Sequence, residues 1–311
     1  MKEGGTAVSQ ETLRRYARNL LEMVLSRGND LPRSYGFEYE FLPDRILARD
    51  DMSMLEDFLK SRGYEPVEGV YVRGPRQVVF EPGGQIEYLS PPLRADESSK
   101  LNEVMGWIAG MNEDIRRETG IRYIGTDYIP GRYDAPLLLT SPRYARMHER
   151  FRKVDARGLE MMKGTAAIHL HAAITRPEDL GVLYAEFCRM STSETLGMSA
   201  ERRSIWDRTD SCRCGLSSAQ PGNSPELILE CIVEQALNAV ELRTGRVFST
   251  LKDKDFSDFL DHLTTMFTDI RVNVKGGTLE LRTPDSRPLE EFPRAWNEFV
   301  KRCEKAASPH Q

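Results

Sequence analysis

The sequence predicts an α+β fold, a mainly antiparallel sheet flanked by helices, and three observations carry that prediction. Four strand-like segments each hold a polar pair at positions i and i+2 among apolar neighbours: Glu38/Glu40, Gln85/Glu87, His169/His171 and Glu280/Arg282. Alternation with period two turns each pair to one sheet face and the apolar residues to the other, the pattern of antiparallel sheets with unlike faces. Between the strands run amphipathic stretches, such as Leu13, Ala17, Leu20, Leu21 and Val24, with apolar residues at helical spacing. Finally, 311 residues, 40% hydrophobic and 29% charged, give ample material for a core in an ordinary globular mix.

In chain order, residues 10–27 read as a helix stopped by Gly28-Asn29-Asp30-Leu31-Pro32. Ser34–Phe41 alternates aromatic and acidic residues, a strand with Glu38 and Glu40 on one face and Phe37, Tyr39 and Phe41 on the other. A helix over 52–62 is capped by Gly63. Short strands follow at 69–73 and 76–81, the second running through Val78-Val79-Phe80 into Glu81. Pro82-Gly83-Gly84 breaks it, since proline lacks an N–H and glycine admits positive φ, and Gln85–Tyr88 resumes an alternating strand. Alone, Gly83-Gly84 reads as a tight turn.

A long helix covers 96–119, and Thr126–Pro142, with three prolines and Gly131, reads as an ordered loop. Residues 143–152 form a helix, Thr165–His171 a strand and 177–197 a further helix, followed by a polar, arginine-rich stretch to Asp210. Ser217–Ser224 is a loop of small residues, expected to act as a mobile lid. Helices over 227–242 and 255–267, a last strand at 278–282 and a closing helix over 289–304 complete the chain, the last burying Phe292, Trp296, Phe299 and Val300. The sequence holds no internal repeat and no low-complexity tract.

Composition narrows the function classes. A formal net charge of −5 gives no reason to expect nucleic acid, whose binders are basic. No apolar stretch approaches the roughly 20 residues that span a bilayer, so no membrane partner is expected. The opening MKEGGTAVSQETLRR lacks the apolar core of a signal peptide. The five cysteines, at 188, 212, 214, 231 and 303, are odd in number and scattered, which suits reduced cytoplasmic thiols. Cys212-Arg213-Cys214 is too closely spaced for a zinc ribbon and reads as two accessible thiols in a loop, with a redox role left open.

Any single polar pair is best read as the solvated face of a sheet. The set differs, because a solvated face draws on Lys, Thr, Ser and Arg. These pairs bring four carboxylates, with Glu81 a fifth, two imidazoles and one guanidinium. Crowded carboxylates repel one another unless cations sit among them. Such oxygen-rich sets suit Mg²⁺ or Mn²⁺, which bridge substrate phosphates, and an arginine facing them is the expected partner of a transferring phosphoryl group. Of the two imidazoles, His171 is the expected functional one. Trp206 and Trp296 read as packing residues, Tyr35, Tyr39 and Tyr88 as the backing of the sheet, and His148 and His310 as surface residues; for His262 packing and catalysis stand level.

At this point a resemblance becomes specific. Gly36-Phe37-Glu38-Tyr39-Glu40, EPGGQIE from Glu81 to Glu87, SPRYARMHERFRKVDARGLEMMKGTAAIHLH from Ser141 to His171, Ser204–Asp210, Asp261–Phe267 and Thr278–Arg282 follow one another in order. Together they resemble the glutamate–cysteine ligase family of the plant and proteobacterial type, within the glutamine synthetase-like carboxylate–amine ligases. The resemblance covers about residues 35–300. It implies a cup-shaped antiparallel sheet with metals and ATP inside, in a single catalytic domain over 1–311 whose N-terminal helix lies within 1–30 and whose core spans 35–300. It also implies that Glu38, Glu40, Glu81, Glu87 and Glu280 bind Mg²⁺ (or Mn²⁺), and that Arg282 contacts the transferring phosphate; His171, preferred on the reading of the residues themselves, is expected to join Arg282 in catalysis and in binding the nucleotide. By the same resemblance Arg143 and Arg202 hold the carboxylates of the amino acid substrate.

The implied reaction is ATP-dependent phosphorylation of the γ-carboxylate of glutamate, followed by attack of the amine of cysteine on the acyl phosphate. Positioning and charge neutralisation dominate such chemistry. The chain has no GxxxxGK[ST] phosphate loop, so metals are expected to hold the ATP. Amino acids and ATP are thus the expected small-molecule partners, with a homodimer as the possible assembly. The His-x-His pair, a short span between His171 and Arg202, and Cys212-Arg213-Cys214 depart from the family pattern in ways that touch substrate choice. Three alternatives follow: the same chemistry on another acid–amine pair, a catalytically silent binding protein of the same fold, and, more weakly supported, a two-metal hydrolase.

Overall fold

A computed structural model describes residues 9–27, 32–155, 157–252 and 254–307. Its helices are α1 (Gln10–Arg27), α2 (Arg49–Ser61), α3 (Ser98–Thr119), α4 (Pro142–Val154), α5 (Gly158–Gly164), α6 (Pro177–Met190), α7 (Ala200–Asp207), α8 (Pro225–Asn238), α9 (Phe256–Leu263) and α10 (Phe292–Ala307). Its strands are β1 (Tyr35–Pro43), β2 (Glu65–Val67), β3 (Val70–Arg73), β4 (Arg76–Phe80), β5 (Ile86–Leu89), β6 (Tyr123–Ile124), β7 (Ile168–Ala173), β8 (Cys214–Gly215), β9 (Phe267–Thr268), β10 (Ile270–Asn273) and β11 (Thr278–Leu281). Residues 28–31, expected to stop α1, and His310 lie outside the described residues. Among the described residues no helix is long and apolar enough to cross a membrane.

The fold is α+β. One antiparallel sheet runs in the order β10-β11-β7-β1-β5-β4-β3-β2, with β6 added to β1, and β8 and β9 form a separate parallel pair. The four strands carrying the polar pairs are therefore consecutive neighbours at the centre of the sheet. Their apolar face is backed by α10 and α3. Phe37 packs on Phe292 and Trp296 at ring distances of 4.7 and 5.5 Å, and Tyr88 meets Trp107 edge-on at 5.4 Å. Each such ring contributes about 1.5–3 kcal/mol by burial. The tyrosines behind the sheet keep their hydroxyls satisfied: Tyr39 donates to the Arg287 carbonyl and Tyr88 to Asn112, at 2.6 and 2.7 Å.

Several elements differ from the sequence expectation, each for a local reason. Helix α6 ends at Met190 because Ser191 and Ser193 turn their hydroxyls onto the Cys188 and Met190 carbonyls, 2.9 Å each, and close a turn. Helix α7 was hidden in the arginine-rich stretch. Its buried face is Arg202, Ile205 and Trp206, so a charged residue occupies a position where periodicity seeks an apolar one. Its start is legible in hindsight, since the Ser199 hydroxyl caps the Arg202 N–H. Helix α9 stops at Leu263 because Thr264 and Thr265 bond back to the Asp261 and His262 carbonyls, which frees Phe267 to pair with Cys214. Strand β2, with Pro66 at its middle, is an edge strand, where a missing N–H is tolerated.

Candidate active site

The register of the central strands assembles the site. Glu40 stands opposite Glu87, Glu38 opposite His169, and Glu280 opposite both His171 and Arg271. Directly paired residues share a face with Cβ atoms about 5 Å apart, so one sheet face gathers a block of carboxylates and imidazoles. Over this face lies a cavity of about 260 Å³. Glu38, Glu40, Glu87, Gln85 and His169 line its floor, Glu81, Arg271 and Arg282 its sides, and Arg143 its rim. The opposite wall is apolar: Tyr144 and Met147 from α4, Met161 and Met162 from α5, Trp206 from α7, and Phe267. These residues belong to a second, smaller apolar core centred on Phe151 and Ile205.

Glu81 reaches the cavity from the turn between β4 and β5. Its own N–H and C=O bond Gln85 and Gly84 across the turn, 2.9 Å each. A Cβ on Gly83 would stand 2.6 Å from the Lys163 carbonyl oxygen, and Gly84 has φ +85°, so both glycines are needed. Gln85 fastens the turn to the opposite wall. Its carbonyl accepts from the Gly83 N–H at 2.8 Å, and its amide donates to the Met162 and Thr165 carbonyls at 3.3 and 3.2 Å.

Charge on the floor is unevenly held. Burial, then the neighbouring Glu40, pushes Glu81 up to about 8. Burial, then Glu38, Glu81 and Glu40, raises Glu87 well above the usual carboxylate range. Burial works against ionisation of Glu38 as well, but His171 and His169 overcome it and hold that carboxyl well below the ordinary value. Glu280, fully buried, is kept at about 2 against burial by Arg271 and Arg282. Burial, then Arg282, lowers His169, whereas Glu38 and Glu280 outweigh burial and raise His171.

The full carboxylate set is thus not ionised by the protein's own cations, and a bound cation would complete the charge balance. Two groups have ligand atoms within 4.8 Å of one another: Glu38, His169 and Glu280, and Glu40, Glu87 and His169. Mostly oxygen with one imidazole, these donor sets fit a hard divalent ion such as Mg²⁺ or Mn²⁺.

The sequence-derived residues fall into three groups. Glu38, Glu40, Glu81, Glu87 and Arg282 line the cavity, and Arg143 stands at its exposed rim, donating to the Thr264 carbonyl at 2.9 Å. Glu280 lies beneath, within reach of the metal groups but gripped by Arg271 and Arg282.

Two expectations are corrected. The cavity-lining imidazole is His169. His171 sits behind Glu38, its Nδ1 3.1 Å from the Thr278 hydroxyl and its Nε2 3.5 Å from Glu38. Arg202 does not face the cavity: it is fully buried on Trp206, and its guanidinium donates to the Arg282 and Thr283 carbonyls and to Asp285, at 2.8, 2.9 and 2.8 Å.

The remaining expectations sort in the same way. Trp206, read as packing, packs and also lines the cavity. The 217–224 loop contributes nothing to the cavity lining; Ser217 and Ala219 are buried, with Ser217 2.8 Å from the Tyr184 hydroxyl. His148 is half-buried, and His262 is a packing residue, bonded to the Ala236 carbonyl at 2.8 Å and stacked on Phe248. Cys212 is exposed, but Cys214 is buried, and burial pushes its thiol up to about 12, so the two are not a pair of accessible thiols.

Sequence reasoning missed His169 as the cavity imidazole and Arg271 altogether. Ile270-Arg271-Val272-Asn273 alternates as a strand does, a signal masked by running the preceding helix to residue 267.

A family model described as glutamate-cysteine ligase family 2 matches residues 35–200, just over half of the chain. Among solved structures, one described as a novel glutamine synthase homolog shares 14% identity, covering 94% of this chain and 60% of that one, with a TM-score of 0.33. The chain therefore spans 60% of that protein's length. No curated protein matches the chain.

Proposed function

The chain belongs to glutamate-cysteine ligase family 2, and from that membership we propose that it is an ATP- and divalent-metal-dependent carboxylate–amine ligase. Its proposed donor is the γ-carboxylate of glutamate, and the amine of cysteine is the first candidate acceptor. The observation that carries this reading is the juxtaposition of Glu38, Glu40, Glu81, Glu87 and His169 with Arg282 around one cavity.

In the proposed reaction the donor carboxylate takes the γ-phosphoryl group of ATP and ADP leaves. The acceptor amine then attacks the acyl carbon and phosphate departs with the broken acyl–oxygen bond. Bound Mg²⁺ or Mn²⁺ would neutralise and align the phosphate oxygens. The chain's own residues do the rest. Arg282 presents its charge to the transferring group, with its main chain anchored by Arg202 on the Arg282 carbonyl and by the Asp269 carbonyl on the Arg282 N–H. Arg143, exposed at the cavity rim, would hold a substrate carboxylate. The wall of Tyr144, Met147, Met161, Met162 and Trp206 keeps water from the acyl phosphate, whose hydrolysis would waste it.

The apolar character of that wall favours a second reading of the substrates, in which an acceptor with an apolar side chain replaces cysteine. The test is ADP release from the metal-loaded protein with ATP and glutamate across a panel of amines including cysteine. A γ-glutamyl product with cysteine alone supports the first reading, and a product with another amine supports the second. No ADP release with any pair removes the ligase and favours a silent binding protein.

A further inference from the structure

Past the rim of the candidate active site lies a second cavity, of about 280 Å³. The two adjoin: Arg143 and Thr264 line both, and the Arg143 guanidinium donates to the Thr264 carbonyl at 2.9 Å across the boundary. Arg143 and Arg146 stand three residues apart on one face of α4, and Arg243 enters from the loop after α8. Arg146 and Arg243 are exposed, and among the described residues neither side chain makes a hydrogen bond or an ion pair. Three guanidiniums thus line one cavity with no carboxylate at ion-pairing distance from any of them. Like charges at this spacing repel, and an anion among them relieves the repulsion. The rest of the lining limits what that anion can be. Lys254 is paired with Asp258 at 2.7 Å, Glu241 accepts from the Thr244 N–H at 2.8 Å, and the Asp261 carboxylate makes no hydrogen bond or ion pair among the described residues. Four cations against three carboxylates leave one positive charge, which suits a single carboxylate and not a triphosphate. In the active-site cavity the same carboxylate would meet Glu38, Glu40, Glu81 and Glu87 and be repelled.

We propose that this outer cavity binds the C-terminal carboxylate of the acceptor through Arg146 and Arg243, and that the acceptor is a dipeptide or longer peptide with a free N-terminal amine. The proposal rests on the ligase reading, in which Arg143 holds a substrate carboxylate at the rim. With Arg143 so engaged, the acceptor's own carboxylate must reach past it to Arg146, roughly 4.5 Å further along the axis of α4. An α-amino acid carries its amine and carboxylate on one carbon and leaves the outer cavity empty, whereas each added residue extends the reach by about 3.5 Å. Asp261, with its oxygens free, supplies an acceptor for the peptide N–H.

The test is direct binding to the full-length, Mg²⁺-loaded protein by calorimetry, with cysteinylglycine and leucylglycine each compared with its C-terminal amide. The free acids are expected to bind about ten- to a hundred-fold more tightly than the amides, the range for a charge-assisted contact, and the difference should shrink as salt is raised. Arg146→Ala and Arg243→Ala, at exposed positions, are each expected to remove part of that advantage and together most of it, while affinity for the amides stays within about twofold. Equal binding of acid and amide to the wild-type protein overturns the proposal, as does no binding of either dipeptide. So does an advantage that survives in the double variant. Turnover separates this site from the ligase reading. ADP release driven as well by free cysteine or leucine as by the dipeptides overturns the peptide acceptor and leaves the ligase standing. A protein that binds the dipeptides through Arg146 and Arg243, yet releases no ADP with any acid–amine pair, loses the ligase reading and keeps the cavity as a peptide-carboxylate site.

Discussion

Glu38 and His169 face each other across β1 and β7, with the imidazole Nδ1 2.8 Å from a Glu38 carboxylate oxygen. In neutral form the ring donates from Nδ1 to that carboxylate, and its lone pair lies at Nε2, 3.6 Å from Glu40. A carboxylate holding one ring nitrogen so that the other is free is the arrangement that orients a metal-binding histidine. His171, two residues on, has its Nδ1 engaged by Thr278 and does not line the cavity.

The two histidines are therefore separable. His169→Ala is expected to weaken Mn²⁺ binding at least about tenfold, and His171→Ala by clearly less. Titrations followed by electron paramagnetic resonance compare them, and equal losses would put the metal between the two rings.

Turnover should depend on Arg282 and Glu81 without the fold depending on them. Both line the cavity, and neither belongs to the apolar core. Arg282→Ala and Glu81→Gln are each expected to lower kcat on the order of 10²–10³-fold with a native circular dichroism spectrum. An active Arg282→Ala enzyme would sink the phosphate role of that arginine.

Arg202 makes the opposite prediction. Its removal leaves Asp285 without its cation and two strand-end carbonyls without a donor. Arg202→Met is expected to cost about 3–5 kcal/mol in urea denaturation. Native stability with a raised KM for the amino acid would return Arg202 to a substrate role.

His262 sets a pH dependence of stability. Burial first, with the charge of Arg213 and more weakly Lys254, lowers it to about 4, against the Ala236 carbonyl and Glu241. The unfolded imidazole titrates near 6.5, so between about 6.5 and 4 the unfolded chain binds more protons. The contribution is present above about pH 6.5 and is lost as pH falls through about 4, some 3 kcal/mol in all at 1.36 kcal/mol per unit. Urea denaturation of wild type and His262→Gln across this range checks it: the variant should lack this part of the slope.

What could be read in the chain without its fold is what depends on neighbours in sequence. Alternation across Glu38 and Glu40, Gln85 and Glu87, or Glu280 and Arg282 follows from the period of an extended backbone, and the Pro82-Gly83-Gly84 break from the chemistry of those residues. The strands, their polar face and the oxygen-rich donor set were legible for that reason. Only the tertiary structure decided which of His169 and His171 lines the cavity, because both share one face and the distinction lies in which strand pairs with β7 at which register. It likewise decided that Arg202 is interior and Arg271 at the site. A guanidinium reads as polar in any local pattern, whereas its burial depends on carbonyls and carboxylates contributed by chain about 80 residues away, as at Arg202, or by the neighbouring strand, as at Arg271. Local periodicity is a property of the backbone, but the pairing of charges is set by long-range register, which exists only once the sheet has formed.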